Sequence, residues 1–84
     1  MNVRFSGVGW ARGINRTYGL SAVPRIGDEV LFDVDDEEDF GEAQIRIGRH
    51  AQRYMVTFVR HVSWTFGERG IDEVYVVVGD TPKR

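Results

Sequence analysis

Apolar and polar residues alternate along the stretch QRYMVTFVRHVSWTF, residues 52–66. A period of two places every second side chain on the same face of a β-strand. From residue 54 to residue 66 the even-numbered positions are apolar with one exception, Arg60, which indicates a β-bulge or an arginine that reaches solvent at a barrel rim. The pattern therefore predicts one long strand that buries these even-numbered side chains: Tyr54, Val56, Phe58, Val62, Trp64 and Phe66.

Four shorter stretches complete a predicted sheet. Alternation or apolar content favours a strand in each, and the glycine-containing segments GRHAQ and GERG are typical of hairpin loops. The remaining long connection, residues 11–27, is predicted to be a packed loop. No stretch has convincing helical periodicity, so the sequence predicts an all-β domain of five strands. The four stretches are NVRFSGVGW from residue 2, EVLFDV at 29–34, AQIRI at 43–47 and IDEVYVVV at 71–78.

The last predicted strand is apolar on both faces between residues 74 and 78. Val74, Val76 and Val78 share one face, while Tyr75 and Val77 lie on the other. The interior of a small barrel covers only one face of a strand, so the second face needs another cover. That cover is either the long N-terminal loop or a second copy of the chain. In the second case the protein is a structural or assembly protein that self-associates through Tyr75 and Val77, as a homodimer.

The stretch PRIGDEVLF, residues 24–32, follows a long first loop and opens the second predicted strand with a Gly-Asp turn. With the hairpin and the valine-rich final strand that come later, this order resembles an SH3-like small barrel over nearly the whole chain. The resemblance implies a five-stranded antiparallel barrel, and it implies no ligand and no binding residues. An OB-like barrel is the alternative topology.

The length of 84 residues fits a single domain, expected over residues 1–79 with a flexible tail at 80–84. The absence of cysteine excludes disulfides, thiolate metal sites and a cysteine nucleophile. We expect no signal peptide, because the N-terminus has no charged leader followed by an apolar run. No apolar run reaches the ~18 residues of a membrane span, so a cytoplasmic location is expected.

The net charge of −2 conceals a strong segregation along the chain. Residues 1–27 carry four arginines and no acid, residues 28–42 carry nine acids and no base, and residues 43–84 carry seven bases and four acids. The acidity is therefore local, and it is densest in the segment DVDDEEDFGE, residues 33–42. The average charge is a poor guide to the partners of such a chain.

A field of this kind attracts a basic protein surface. The leading prediction is a non-enzymatic protein-binding module that docks a basic partner through this acidic loop, with Phe40 as its apolar anchor. The alternatives are a solvated loop that blocks aggregation and a divalent cation site. EF-hand spacing is not met, and no metal or cofactor is predicted. The charges assigned to docking are Asp35, Asp36, Glu37, Glu38 and Asp39.

A second set of residues suggests a nucleic-acid-binding barrel as an alternative. Arg46, Arg53 and His61 are predicted to point away from the apolar faces of their strands, and Arg49 lies in the hairpin between the first two. Single-stranded nucleic acid is bound where exposed aromatic rings lie among such cations. The aromatic residues of the long strand are predicted to be buried instead, which favours a solvated charged face.

Catalysis has little support in the sequence. His50 and His61 are predicted to be surface residues, and no serine has the surroundings of a nucleophile. The glycine-containing stretches GVG and GERG lack the spacing and the following helix of a phosphate-binding loop. The sequence therefore predicts that the protein is not an enzyme.

Overall fold

The computed structural model of the chain describes residues 1–35 and 43–80. In these residues six strands form one sheet, and short 3₁₀ turns occur at Gly9–Ala11 and Arg49–Ala51. No helix in these two ranges is long and apolar enough to cross a membrane. The strands are β1 (Asn2–Gly7), β2 (Asn15–Gly19), β3 (Glu29–Val34), β4 (Ile45–Ile47), β5 (Arg53–Gly67) and β6 (Gly70–Gly79).

The strands follow the order β2-β1-β6-β5-β3, and β4 pairs with β5 beside this path. The sheet curls into a half-barrel, which confirms the predicted all-β class and small barrel-like architecture. The number of strands differs from the prediction, because β2 forms inside the stretch expected to be a loop. The β1–β6 pair is parallel, whereas the other pairs are antiparallel.

The core fills the concave side of this sheet. Phe5 contacts Phe32 edge to face, with ring centroids 5.4 Å apart, and this contact joins β1 to β3 across the interior. The turn after β1 closes one end with Ala11 and Ile14. The other buried residues of the cluster come from every long strand: Val3, Val34, Met55, Val59, Val74, Val76 and Val78.

The long strand β5 is present as predicted, but in its first half the odd-numbered side chains face the interior, whereas the even-numbered ones were predicted to do so. Met55, Thr57 and Val59 are buried, whereas Tyr54 and Phe58 lie on the other face outside the core cluster. The prediction that the even-numbered residues fill the interior is therefore wrong up to residue 59. The Thr57 hydroxyl is compatible with burial because it donates to the Val30 carbonyl oxygen at 2.8 Å.

A β-bulge at Arg60 shifts the alternation by one residue, so the even-numbered side chains face the interior after it. The pairing with β6 goes from Val59 opposite Val78 to His61 opposite Val77, so Arg60 is the extra residue. After the bulge Val62 lies opposite Val76 and packs against the core. Of the two alternatives predicted for Arg60, a bulge or an arginine at the rim, the register of β5 with β6 shows the bulge.

One ion pair crosses the outer face of the first half of β5. Arg46 on β4 and Glu29 on β3 flank opposite edges of β5, and their side chains meet in a two-pronged contact that includes Nη2 to Oε2 at 3.1 Å. Val56 lies between these edges and is buried although it is outside the core cluster. The hydrogen bonds between the two side chains lower the pKa of Glu29 and raise the pKa of Arg46.

Arg16 joins the two ends of the strand order. It lies on β2, and its Nη1 contacts Asp33 Oδ1 on β3 at 2.7 Å while its Nη2 donates to the Asp33 carbonyl oxygen at 2.9 Å. The guanidinium also lies 5.7 Å from the centre of the Phe32 ring. Hydrogen bonding to Tyr18, and after it to Asp33, raises the pKa of Arg16 although partial burial lowers it. A side chain thus bridges β2 and β3, which are not neighbours in the sheet.

Candidate functional site

The second half of β5 has a sheet neighbour on one edge only. Residues 61–67 pair with β6, but on the opposite edge the described backbone hydrogen bonds with the β3 side of the chain end at Val59. There Gly27 donates its backbone N–H to the Val59 carbonyl oxygen at 2.8 Å, and Val59 donates to the Asp28 carbonyl oxygen at 2.9 Å. Beyond that point, no strand within residues 1–35 and 43–80 pairs with this edge.

The orientation of Val59 shows which backbone groups lie along this open edge. Val59 faces the core and directs both its N–H and its C=O toward the β3 side. Side-chain direction and backbone hydrogen-bonding direction alternate together along a strand. The residues that face the same way after the bulge therefore direct their N–H and C=O groups to the open edge: Val62, Trp64 and Phe66.

A cleft lies between this edge and the loop that precedes β3. Its volume is about 540 Å³. The loop turns sharply because Asp28 accepts from the Arg25 N–H at 2.8 Å and donates its own N–H to the Arg25 carbonyl oxygen at 3.0 Å. Gly27 has a φ of 94°, which favours glycine. The cleft is lined by Val23, Pro24, Arg25, Ile26, Val62 and Trp64.

Large apolar side chains next to the cleft remain exposed. Phe66 pairs with Ile71 at the end of the β5–β6 hairpin, and Trp64 pairs with the core residue Val74. Phe66 is 68% exposed and Trp64 is 46% exposed. The apolar edge, as we call this surface, consists of Ile26, Trp64, Phe66 and Ile71. These side chains expose on the order of 400 Å², which is the size of the largest apolar patch on a typical monomer, and such patches are often functional.

Only one of the residues predicted to dock a basic partner is described by the structure. Asp35 follows β3, and its carbonyl oxygen accepts from Arg53 Nη1 at 3.3 Å. The other members of the predicted docking set, Asp36, Glu37, Glu38, Asp39 and Phe40, lie outside the described residues.

The structure does not bring the predicted basic residues together on one face. Arg46 pairs with Tyr54 on the outer face and is engaged with Glu29, whereas Arg53 shares the opposite face with Met55. Arg49 is exposed in the turn after β4. The expectation of a single patch on one face is therefore wrong, because Arg53 lies on the same face of β5 as the buried residue Met55.

His61 lies on the outer face in the other half of β5, and its Nε2 is 2.7 Å from Ser63 Oγ. Tyr75 and Val77 share this outer face, opposite Ser63 and His61 respectively. Tyr75 is partly exposed and Val77 is half-buried. The long N-terminal loop, one of the two covers considered for them, contributes Ala11 and Ile14 to the core. Among residues 1–35 and 43–80, no group of three or more acidic, histidine or cysteine side chains is placed to hold a metal ion.

Sequence reasoning missed the apolar edge, because it assigned Trp64 and Phe66 to the interior. The available signal was the position of the two residues: apolar alternation continues to Phe66, immediately before the GERG turn, and turns lie at the protein surface. Comparison with protein-family models, curated proteins and solved structures finds no match to this chain.

Proposed function

We propose that this protein is a non-enzymatic protein-binding module whose acidic segment, residues 33–42, docks a basic surface of a partner protein. The observation that carries the proposal is the concentration of seven carboxylates in this ten-residue segment. The contacts of the described residues add support. Arg16 is engaged with Asp33, the first residue of the segment, and Arg46 with Glu29, which precedes it, so both arginines are paired with carboxylates outside the five docking charges at 35–39.

In this proposal the charges set the rate of encounter and an apolar side chain supplies contact area. Asp35, Asp36, Glu37, Glu38 and Asp39 steer the basic surface, and Phe40 is the anchor. Exposed charges are screened over about 8 Å at physiological ionic strength, so the association rate and the affinity should both fall as salt is added.

The experiment compares capture of proteins from host lysate by the wild-type chain and by a variant with the five charges replaced by their amides. A matched control replaces acids of the β5–β6 hairpin instead, as Glu68→Gln, Asp72→Asn and Glu73→Gln. We expect basic proteins to be retained at low salt by the wild type and by the hairpin control, and to be lost from the five-fold variant. Capture that is equal in all three chains and insensitive to salt would overturn the proposal.

Two other function classes remain predictions and can be separated with the same protein. A gel-shift assay with single- and double-stranded DNA and RNA at low salt tests the use of Arg46, Arg49, Arg53 and His61. Retarded nucleic acid, lost in an Arg49→Ala/Arg53→Ala variant, would favour that class over protein docking. Self-association through Tyr75 and Val77 is tested by sedimentation of a Tyr75→Ser variant.

A further inference from the structure

The open edge of β5 has two features that favour contact with another chain. It carries backbone N–H and C=O groups at Val62, Trp64 and Phe66 with no strand beside them in the described residues. It also carries the apolar edge, whose side chains lie next to those groups. Exposed edge strands with apolar side chains pair readily with another chain. An occupant of this site must therefore be extended and apolar.

β5 carries both a projecting side chain, Phe66, and residues that line the cleft. Phe66 projects near the end of the hairpin, and the cleft beside Val62 opens two inward-facing positions earlier. The cleft volume of about 540 Å³ is ample for a phenyl ring. A surface that carries both halves of a contact can bind a copy of itself about a two-fold axis. The geometry thus favours a second copy of this chain as the occupant.

Val62, Trp64 and Phe66 are evenly spaced along β5, as a two-fold axis at Trp64 requires. If two β5 strands pair antiparallel with Trp64 opposite its own copy, Phe66 of each chain lies opposite Val62 of the other. All three of these residues direct their N–H and C=O groups to the open edge, so each pair can exchange two hydrogen bonds. Phe66 then enters the cleft of the other chain. The same register buries Trp64 of both chains against each other at the axis.

Both ends of this interface carry charges of both signs. The register brings the hairpin tip of one copy, which carries Glu68 and Arg69, alongside the loop of the other copy, which carries Arg25 and Asp28. Each segment holds one acid and one base, so opposite charges can face each other at both ends. The apolar edge supplies roughly half of the ~800 Å² that each partner contributes to a standard interface. The backbone edge and the charged rim add to it.

We propose that two copies of the chain associate through the open edge of β5, as a continuous antiparallel sheet with Trp64 at the two-fold axis. The interface is small, so the dimer dissociates in dilute solution, with a dissociation constant on the order of micromolar. It differs from the outer-face surface at Tyr75 and Val77, which lies on the other side of the same sheet.

Sedimentation velocity over a range from about 1 to 500 μM tests this proposal. We expect the wild type to shift from monomer to dimer, and Phe66→Asp to weaken the association at least tenfold. Phe66 is exposed, so this variant should fold, which its circular dichroism spectrum and thermal transition will verify. Tyr75→Ser is the matched control, because it removes an exposed aromatic ring from the outer face, and it should dimerise like the wild type.

A wild type that remains monomeric throughout this range would overturn the proposal. So would a dimer that survives Phe66→Asp, or one that is lost in Tyr75→Ser while Phe66→Asp has no effect. The register has a separate test, because the chain has no cysteine. In a hydrogen-bonded antiparallel pair the Cα atoms are ~5.5 Å apart, within disulfide range. Trp64→Cys should therefore form an intermolecular disulfide faster than Thr65→Cys, and an equal or slower rate would exclude the axis at Trp64.

Discussion

The two halves of β5 belong to one strand but lie in very different surroundings. In the first half β3 and β4 flank both edges, and the adjacent residues Met55 and Val56 are both buried although they point to opposite faces. In the second half only β6 is alongside, and the larger side chains Trp64 and Phe66 remain exposed. Burial along this strand therefore depends on which elements flank it more than on its own alternation.

The largest expected effect contrasts a residue from each half. Met55→Ala should lower the free energy of unfolding by about 2–5 kcal/mol, because it leaves a cavity in the core. Phe66→Ala should change it by less than about 0.5 kcal/mol in dilute solution, because this side chain is exposed in the monomer. Urea unfolding followed by tryptophan fluorescence or circular dichroism measures both variants.

Equal losses in the two variants would contradict the contrast between the halves. Met55→Ala could be too unstable to purify, since a domain of this size has a small margin of stability. Met55→Leu then replaces it, with an expected loss below about 1.5 kcal/mol because volume is nearly conserved. A loss from Phe66→Ala of more than about 1 kcal/mol would likewise show that the hairpin end is part of the folded core.

An intermediate effect is expected from the bridge between β2 and β3. Arg16→Met removes a two-pronged contact with Asp33 and the contact with the Phe32 ring. Hydrogen bonds to charged groups contribute roughly 1.5–3 kcal/mol, but Asp33 is largely exposed, so we expect a loss of about 1 kcal/mol. Arg16→Lys is the control, because it keeps the charge without the planar fork and should lose less.

Urea unfolding of these two variants tests the bridge, and amide hydrogen exchange locates its effect. Exchange should accelerate in β2, which lies at the edge of the sheet, and remain slow in β6 at its centre. An Arg16→Met variant as stable as the wild type, with unchanged exchange in β2, would show that the half-barrel keeps its curvature without this contact.

The smallest effect concerns the ion pair over Val56 and depends on pH. Arg46 lowers the pKa of Glu29 in the folded protein. The carboxylate therefore favours folding above its unfolded pKa of ~4.3, and this contribution is lost as the pH falls through the lower folded value. Glu29→Gln removes it, so the melting temperature should fall slightly at pH 7, and the difference from the wild type should shrink toward pH 3.

Thermal unfolding at the two pH values measures this difference. Glu68→Gln is the control, because it removes a carboxylate whose described contacts include no ion pair. It should leave the melting temperature close to the wild type at pH 7. A Glu29→Gln effect that persists unchanged at pH 3 would mean that the carboxylate charge is not its cause.

The all-β class and most of the strands could be predicted from alternation, and Arg60 correctly marked the bulge. The phase of β5 could not be predicted, because Met55, Val56 and Phe58 are apolar on both sides of the alternation. Only the neighbouring strands determine which face becomes the interior. β2 was missed because its sequence, NRTYG, is polar and mostly exposed, as befits an edge strand.

The parallel pairing of β1 with β6 could not be predicted, because it joins residues about seventy positions apart and no local signal specifies it. The apolar edge was missed for a related reason. A tryptophan and a phenylalanine at alternate positions have the same pattern in a core and in an interface between molecules. The sequence of the strand alone does not say whether another part of the chain covers them.

The bulge at Arg60 has a consequence for changes in chain length. Arg60 is the extra residue, so a chain without it would place Val59, His61 and Val62 in regular alternation opposite Val78, Val77 and Val76, and Val62 would stay in the core. Deleting Ser63 instead would turn Trp64 to the side that carries Tyr75, because side chains alternate with a period of two. This strand should therefore tolerate the loss of one residue at position 60 but not at position 63.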